Sequence, residues 1–132
     1  MKRIRVYVAG MYSADNVLDV LRNIGRGQKI CAHLFKLGFA PFCPWHDRSY
    51  VMEYPDYPFT VEEFYDFSIA WLEVCEVVYM SEKDWPNWQS SVGIGKELKR
   101  ADEIKIPVFY NERDLLDYRI TNDLVSLEIN IP

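Results

Sequence analysis

The chain has 132 residues and a formal net charge of −5, and 49% of its residues are hydrophobic and 15% aromatic. This length and apolar content fit a packed core, so we expect a single domain over residues 1–132. The acidic balance excludes an extended nucleic-acid groove, which concentrates lysine and arginine. No stretch approaches the roughly 20 apolar residues of a membrane span.

The first third of the chain predicts a strand, a helix and a second strand. The segment RIRVYVAG is β-rich and apolar, and alternation puts Tyr7 on the face opposite Val6 and Val8. A helical apolar period follows over residues 17–37, and Gly38 ends it as a C-terminal glycine should. The segment FAPFCPW predicts a shorter strand near a sheet edge, because prolines remove ladder hydrogen bonds.

The middle of the chain predicts two long loops around a capped helix and a third strand. Residues 46–59 form an aromatic and acidic loop, whose length is typical of a functional segment. Thr60 and Glu63 match a capping box for a helix running to about residue 73 or 74. The segment EVVYMS predicts the third strand, and a second loop occupies residues 82–89.

The last third predicts a helix capped by Ser91 and a fourth strand from KIPVFY. The segment ERDLLDYR predicts one more helix. The segment LVSLEINI alternates at Val125, Leu127, Ile129 and Ile131, which predicts a fifth strand at an edge. Alternating strands and helices indicate an α/β fold with a mostly parallel sheet of four to five strands.

Ligands of open α/β sheets bind beyond the carboxyl ends of the strands. This rule places three segments together at one edge of the sheet: GMYS after the first strand, PWHD after the second, and the loop and helix start after the third. These segments supply the expected substrate-binding residues: Gly10, Met11, Tyr12, Ser13, Trp45, Asp47, Trp88, Ser91 and Gly93.

Three further side chains could carry chemistry at this rim. Glu97 leans back toward the helix start, over Gly93, where a glycine leaves space in front of the carboxylate. Asp66 lies on the capped helix, and Tyr7 projects from the first strand. A carboxylate nucleophile, a second carboxyl group and an orienting phenol suit glycosidic chemistry. Each residue alone is more often an ordinary surface or core residue, so the pattern by itself indicates only a small-molecule α/β enzyme.

The three cysteines, Cys31, Cys43 and Cys75, are odd in number and widely spaced. We therefore expect reduced thiols and a cytoplasmic location. No zinc-site spacing occurs, and we expect neither a metal nor a cofactor. The basic residues Arg22, Arg26 and Lys29 indicate a solvated helix face.

Several motifs, in this order, resemble the nucleoside 2-deoxyribosyltransferase superfamily. They are VYVAGMYS, the helix and strand IGRGQKICAHLFKLGFAPFCPW, Asp66 ahead of AWLEVCEVVYM, and WQSSVGIGKELKRA followed by IPVF. The resemblance covers about residues 3–110 and is closest to small members of the superfamily. It implies a flavodoxin-like, Rossmann-like three-layer fold. It also implies cleavage of the N-glycosidic bond of a 2′-deoxynucleoside or its 5′-monophosphate, by hydrolysis or base exchange.

The resemblance also implies roles for individual residues. Glu97 matches the nucleophile that attacks C1′ of the sugar, and Tyr7 matches the tyrosine that orients this nucleophile. Asp66 matches the acidic residue that helps to protonate the leaving base. By the same resemblance, the position of Ser91 is similar to one that holds an aspartate in the nucleoside transferases, where it binds the 5′-hydroxyl of the sugar. In the related 2′-deoxynucleoside 5′-phosphate N-hydrolases, the position holds a serine that contacts the phosphate. Ser13 and Ser91 could therefore flank a 5′-phosphate.

Two classes of function remain open at this point. The first is an N-glycosidase or transferase, and the second is a non-catalytic nucleotide-binding or sensing protein that keeps the fold. The expected partners are a small deoxynucleoside or deoxynucleotide and further copies of the chain in a homodimer or higher homo-oligomer. No nucleic acid or membrane partner is expected.

Overall fold

The computed structural model describes residues 2–129, with side chains described up to residue 125. Four strands form one all-parallel sheet in the order β2-β1-β3-β4. The strands are β1 (Arg5–Ala9), β2 (Ala40–Phe42), β3 (Val77–Met80) and β4 (Val108–Phe109). The proline-containing β2 lies at an edge, as its sequence predicts.

Five α-helices accompany the sheet in the described part of the chain. They are α1 (Val17–Lys36), α2 (Arg48–Glu53), α3 (Val61–Leu72), α4 (Val92–Glu103) and α5 (Glu112–Ile129). Two 3₁₀ turns, Pro44–Asp47 and Trp88–Ser90, precede α2 and α4 respectively. Part of the expected loop over residues 46–59 is therefore helical, and Trp45 lies on a 3₁₀ turn rather than in a strand.

The helices form two layers around the sheet. His33 of α1 and Glu112 of α5 approach to 3.0 Å between Nε2 and Oε1, so these helices share one face. Glu73, at the end of α3, pairs with Arg100 of α4 at 3.0 Å on the other face. This is the expected three-layer, flavodoxin-like α/β fold, and its strand order reverses between β1 and β3.

Local side-chain chemistry sets the helix boundaries. Thr60 and Glu63 form the complete capping box of α3, and the Ser91 hydroxyl accepts the Ile94 N–H at 3.2 Å to start α4. Gly38, with φ of +100°, follows the end of α1 in a backbone conformation that side chains disfavour. These boundaries agree with the sequence expectations to within two residues.

The expected fifth strand is wrong. Residues 124–129 belong to α5, while Ile131 lies outside the described residues. The helix starts at Asn111, whose Oδ1 accepts the Asp114 N–H at 2.9 Å, and Leu115 is fully buried. Because no glycine or proline interrupts the chain before its last residue, the capped helix continues through the alternating segment.

Candidate active site

A cavity of about 900 Å³ opens at the carboxyl ends of β1 and β3. This is the point of strand-order reversal, where open α/β sheets bind ligands. Most of the expected site residues line it together: Gly10, Met11, Tyr12, Ser13, Trp45, Asp47, Ser91, Gly93 and Glu97. The volume falls in the range of small-molecule sites, roughly 300–1,000 Å³.

Glu97 is the carboxyl group of the cavity wall formed by α4. Its residue keeps some exposure toward the cavity, but its Oε2 atom is buried and has no hydrogen-bond partner within residues 2–129. Burial raises the pKa of Glu97 from 4.5 to about 8, although the nearby Tyr7 hydroxyl acts to lower it. A carboxyl group held in this way is costly for folding, which favours a functional role.

Tyr7 lies beneath Glu97 and is fully buried in β1. Burial, followed by the charge of Glu97, raises its pKa well above 10, so the phenol keeps its proton. Its ring stacks on Phe42 at 5.7 Å between centroids, and Phe42 stacks on Trp71 at 5.2 Å. The phenol oxygen has no partner in hydrogen-bonding geometry among the described residues. The Tyr7 hydroxyl is therefore a rigidly held hydrogen-bond donor beside the Glu97 carboxyl group.

The buried Glu97 predicts a loss of stability as the pH rises. The folded state retains the Glu97 proton up to about pH 8, whereas the unfolded chain releases it near 4.5, so the free energy of unfolding falls across this window. At about 1.4 kcal/mol per pKa unit, we expect a loss of up to roughly 3 kcal/mol between about pH 6 and 8. Urea unfolding at the two pH values measures it.

Glu97→Gln should remove most of that slope, because an amide does not titrate. The matched control is Glu103→Gln, which alters an exposed carboxylate on the same helix. A wild-type stability that is flat over this range, or a slope that survives Glu97→Gln, would contradict the burial of the carboxyl group.

Asp66 is not among the residues that line the cavity, and its expected place beside the base stays a prediction. The cavity face of α3 is formed by Val61, Phe64, Tyr65 and Ser68, which repeat at helical spacing. Successive residues of a helix are rotated by about 100° about its axis, so Asp66 points away from the cavity-facing Tyr65 that precedes it, and it is exposed. Its carboxylate therefore faces solvent.

Asp47 is the second carboxyl group that the fold brings into the cavity. It is 6% exposed, and its Oδ1 atom is buried without a hydrogen-bond partner among the described residues. Burial raises the pKa of Asp47 to about 6, against the lowering effect of the Tyr12 hydroxyl. The 3₁₀ turn after β2 fixes its position. Its protonated form is therefore accessible near neutral pH, as a general acid requires.

Two stacked indoles form an aromatic wall of the cavity. Trp45 and Trp85 lie 5.8 Å apart with planes at 10°, and Trp45 Nε1 donates to the Met11 carbonyl at 3.0 Å. Gly10 sits against both rings: a Cβ there would lie 2.6 Å from Trp45 Cζ2 and 2.7 Å from Trp85 Cε2. The glycine after β1 thus permits a close approach of backbone and indoles. Trp85 Nε1 is buried with no partner within residues 2–129.

Trp88 is the binding residue expected from the loop over residues 82–89, but Trp85, and not Trp88, lines the cavity. Trp88 lies on the 3₁₀ turn and packs against Tyr110, with ring centroids 5.8 Å apart. The missed residue precedes Pro86, which also lines the cavity. Nothing in the spacing of the two tryptophans tells which one turns inward.

Arg26 is the one basic side chain among the described cavity-lining residues. It lies on α1, with its guanidinium 5.3 Å above the Trp85 ring and one N–H donating to the Asp84 carbonyl at 3.1 Å. The expectation that this residue belongs only to a solvated face is therefore incomplete. Asp15 and Asp19 line the same end and oppose its positive charge.

The two glycines at the start of α4 differ in their surroundings. A Cβ on Gly93 would lie 3.5 Å from Tyr65 Cε1, an ordinary contact facing the cavity. A Cβ on Gly95 would meet nothing within 4 Å in the described part of the chain. The space in front of Glu97 gives a reason for Gly93, and the structure gives none for Gly95.

Across residues 2–129, no group of three or more histidine, cysteine or acidic side chains is placed to hold a metal ion. Within the same range, no helix has the length and apolar character needed to span a bilayer. The three cysteines are free thiols.

Fold and site together define an α/β protein of flavodoxin-like topology with a carboxyl-bearing cavity at its switch point. Residues 4–113 match the family described as "Domain of unknown function (DUF1937)", and the chain belongs to that family. No curated protein and no solved structure matches the chain.

Proposed function

We propose that this protein cleaves the N-glycosidic bond of a 2′-deoxynucleoside or its 5′-monophosphate, with Glu97 as the nucleophile. The observation that carries the proposal is the Glu97 carboxyl group, buried above the Tyr7 phenol in a cavity of about 900 Å³. The resemblance of VYVAGMYS and SSVGIGKELKRA to the nucleoside 2-deoxyribosyltransferases gives the bond that is cleaved.

The chemistry begins with ionised Glu97. One carboxylate oxygen attacks C1′ of the sugar, the bond between C1′ and the base nitrogen breaks, and the electron pair leaves with the base. The product on the enzyme is a glycosyl ester, which water or a second base then cleaves at C1′. The Tyr7 hydroxyl, which has no other partner among the described residues, is the donor that would orient this carboxylate. Because the Glu97 pKa is about 8, the fraction of Glu97 that is ionised, and therefore active, increases as the pH rises toward that value.

Asp47 replaces Asp66 as the proposed acid for the leaving base. It is buried in the same cavity as Glu97, and its pKa of about 6 leaves part of it protonated near neutral pH. Protonation of a base nitrogen turns a poor leaving group into a neutral one. General acid catalysis of this kind contributes roughly 10²–10⁴-fold.

Asp47→Asn and Asp66→Asn form a matched pair that tests this role. We expect Asp47→Asn to lower kcat by about 10²-fold or more, since the amide cannot donate the proton, and Asp66→Asn to change it less than about threefold. Steady-state assays on one deoxynucleoside measure both. If Asp66→Asn has the larger effect, the acid is not Asp47.

The aromatic wall supports binding of a planar base. Phe64 and Tyr65 of α3 line the cavity and are only partly buried, while Trp45 and Trp85 line it as a nearly buried backing. Stacking of a base on an aromatic side chain is worth about 1–3 kcal/mol, and every base offers a face for it. The cavity therefore suits a nucleobase.

A 5′-phosphate could lie at the start of α4. Ser13 and Ser91 both line the cavity, and Ser91 retains a hydroxyl proton to donate after accepting the Ile94 N–H. The helix N-terminus and Arg26 add positive potential, while Asp15 and Asp19 oppose it. We propose that the monophosphate is preferred over the free nucleoside.

Ser91→Asp tests the phosphate position. A carboxylate there would repel a phosphate and remove one charge-assisted hydrogen bond of about 1.5–3 kcal/mol, so we expect kcat/KM for the monophosphate to fall by roughly tenfold to 150-fold or more. The free deoxynucleoside is the internal control and should keep its kcat/KM or gain. If the wild-type chain prefers the free nucleoside, Ser91 does not bind a phosphate and acts only as the N-cap of α4.

The activity itself is tested by incubating the purified chain with the four deoxynucleosides and their monophosphates, with and without added free bases. Chromatographic release of a base supports hydrolysis, and formation of a new nucleoside supports base exchange. Tight binding without release of any base would instead favour a nucleotide-binding or sensing protein.

A further inference from the structure

Two thiols from different elements line a second cavity, which shares Asp47 with the candidate active site. Cys31 lies on the inward face of α1, and Cys43 directly follows β2. Both line a cavity of about 430 Å³, together with Gln28, His46 and Tyr50. Each residue is at least nine-tenths buried, and neither thiol has a place in the proposed glycosidic chemistry.

Each thiol affects the ionisation of the other. The neighbouring Cys43 raises the pKa of Cys31, and the neighbouring Cys31 lowers the pKa of Cys43. Backbone N–H groups of Trp45 and His46 also act to lower the pKa of Cys43, whereas burial and the charge of Asp47 act to raise it. Of the two thiols, Cys43 is therefore the one whose pKa is lowered, which favours it as the nucleophile.

We propose that Cys31 and Cys43 form a reversible redox-modification site that converts to an intramolecular disulfide on reaction with a peroxide. Both side chains line the same cavity, and their elements, α1 and the segment after β2, are neighbours, so side-chain rotation is the movement that would bring the sulfurs to bonding distance. The cavity that both line gives a small oxidant access from the surface. Cys75, the third cysteine, is buried elsewhere, beside Arg5 and Glu76.

The reaction balances with hydrogen peroxide as the oxidant. The Cys43 thiolate attacks one peroxide oxygen, the O–O bond breaks, and the departing hydroxide takes up a proton to become water. The Cys31 sulfur then attacks the resulting Cys43 sulfenic acid, forming the S–S bond and releasing the oxygen as a second water. Two thiols are oxidised, one peroxide is reduced, and a dithiol reductant reverses the change by exchange.

The test treats the reduced, full-length chain with hydrogen peroxide and maps its peptides without reduction. We expect a Cys31–Cys43 linkage, with the intact protein lighter by two hydrogen atoms and Cys75 unmodified. The matched control Cys75→Ala should behave as wild type. Cys31→Ser should accumulate a sulfenic acid on Cys43 that dimedone traps, and Cys43→Ser should react with peroxide at least about tenfold more slowly.

A second readout is thermal unfolding, which does not depend on peptide recovery. The oxidised Cys75→Ala variant should unfold at a higher temperature than its reduced form, because the disulfide joins α1 to the end of β2. The same oxidation should not raise the unfolding temperature of Cys31→Ser, because this variant cannot form the disulfide. Oxidation of Cys75 at the same rate as Cys43, or over-oxidation of Cys43 in wild type without the linkage, would overturn the proposal. Neither result bears on whether Glu97 cleaves nucleosides.

Discussion

Glu97→Gln should lower kcat for deoxynucleoside cleavage by about 10³-fold or more while the fold persists. An amide has no charge with which to attack C1′ or to stabilise a cationic sugar carbon. The fold should tolerate it because the wild-type side chain is already buried, and its pKa of about 8 shows that the fold disfavours the ionised form. Turnover assays and urea unfolding at about pH 7 measure the two effects separately.

Glu103→Gln is the control for this change. It makes the same substitution on the same helix at an exposed position, so activity and stability should both stay near wild type. A folded Glu97→Gln variant with near-normal turnover would exclude Glu97 as the nucleophile.

Gly27→Ala should destabilise the protein strongly, while Gly25→Ala should stabilise it. Both glycines lie on α1, but a Cβ on Gly27 would overlap the six-membered ring of Trp45, and a Cβ on Gly25 would meet nothing within 4 Å in the described residues. Overpacking of this kind costs about 1–3 kcal/mol or more. Alanine at an open helical position gains about 0.5–1 kcal/mol. Denaturant unfolding of the two variants measures the difference.

Trp45→Leu provides the second arm of this test. The smaller side chain removes the ring that Gly27→Ala would strike, so the double variant should be more stable than the sum of the two single changes predicts. Gly27→Ala should also weaken substrate binding, because Trp45 forms a wall of the cavity. Additive effects, or equal stabilities of Gly25→Ala and Gly27→Ala, would contradict the close approach of α1 to Trp45.

Features set by neighbouring residues were predictable from the sequence. The capping box at Thr60 and Glu63, the Ser91 cap and the left-handed Gly38 depend on a few bonds within one turn, so local chemistry determines them. The same holds for the sheet's class, because strands and helices alternate along the chain. The end of α5 could not be read in this way, since Val125, Leu127 and Ile129 alternate like a strand while lying in a helix.

Which individual side chains point into the cavity could be determined only from the folded structure. Asp47 and Asp66 are both acids near expected site segments, but only Asp47 lies in the cavity, because the 3₁₀ turn after β2 directs it inward. Likewise, Trp85 lines the cavity, whereas Trp88 packs against Tyr110. Arg26 looks like a surface residue from its helix period, and only the packing of α1 beside Trp85 brings it to the cavity.

The central claim is a covalent bond between Glu97 and the sugar. The most direct measurement is mass spectrometry of peptides from enzyme that has been quenched with acid during turnover of a deoxynucleoside. We predict a deoxyribosyl adduct on the peptide that contains Glu97, with the ester on that residue and no adduct in Glu97→Gln. Base release by the wild-type chain with no adduct on this peptide, together with continued release by Glu97→Gln, would contradict the account.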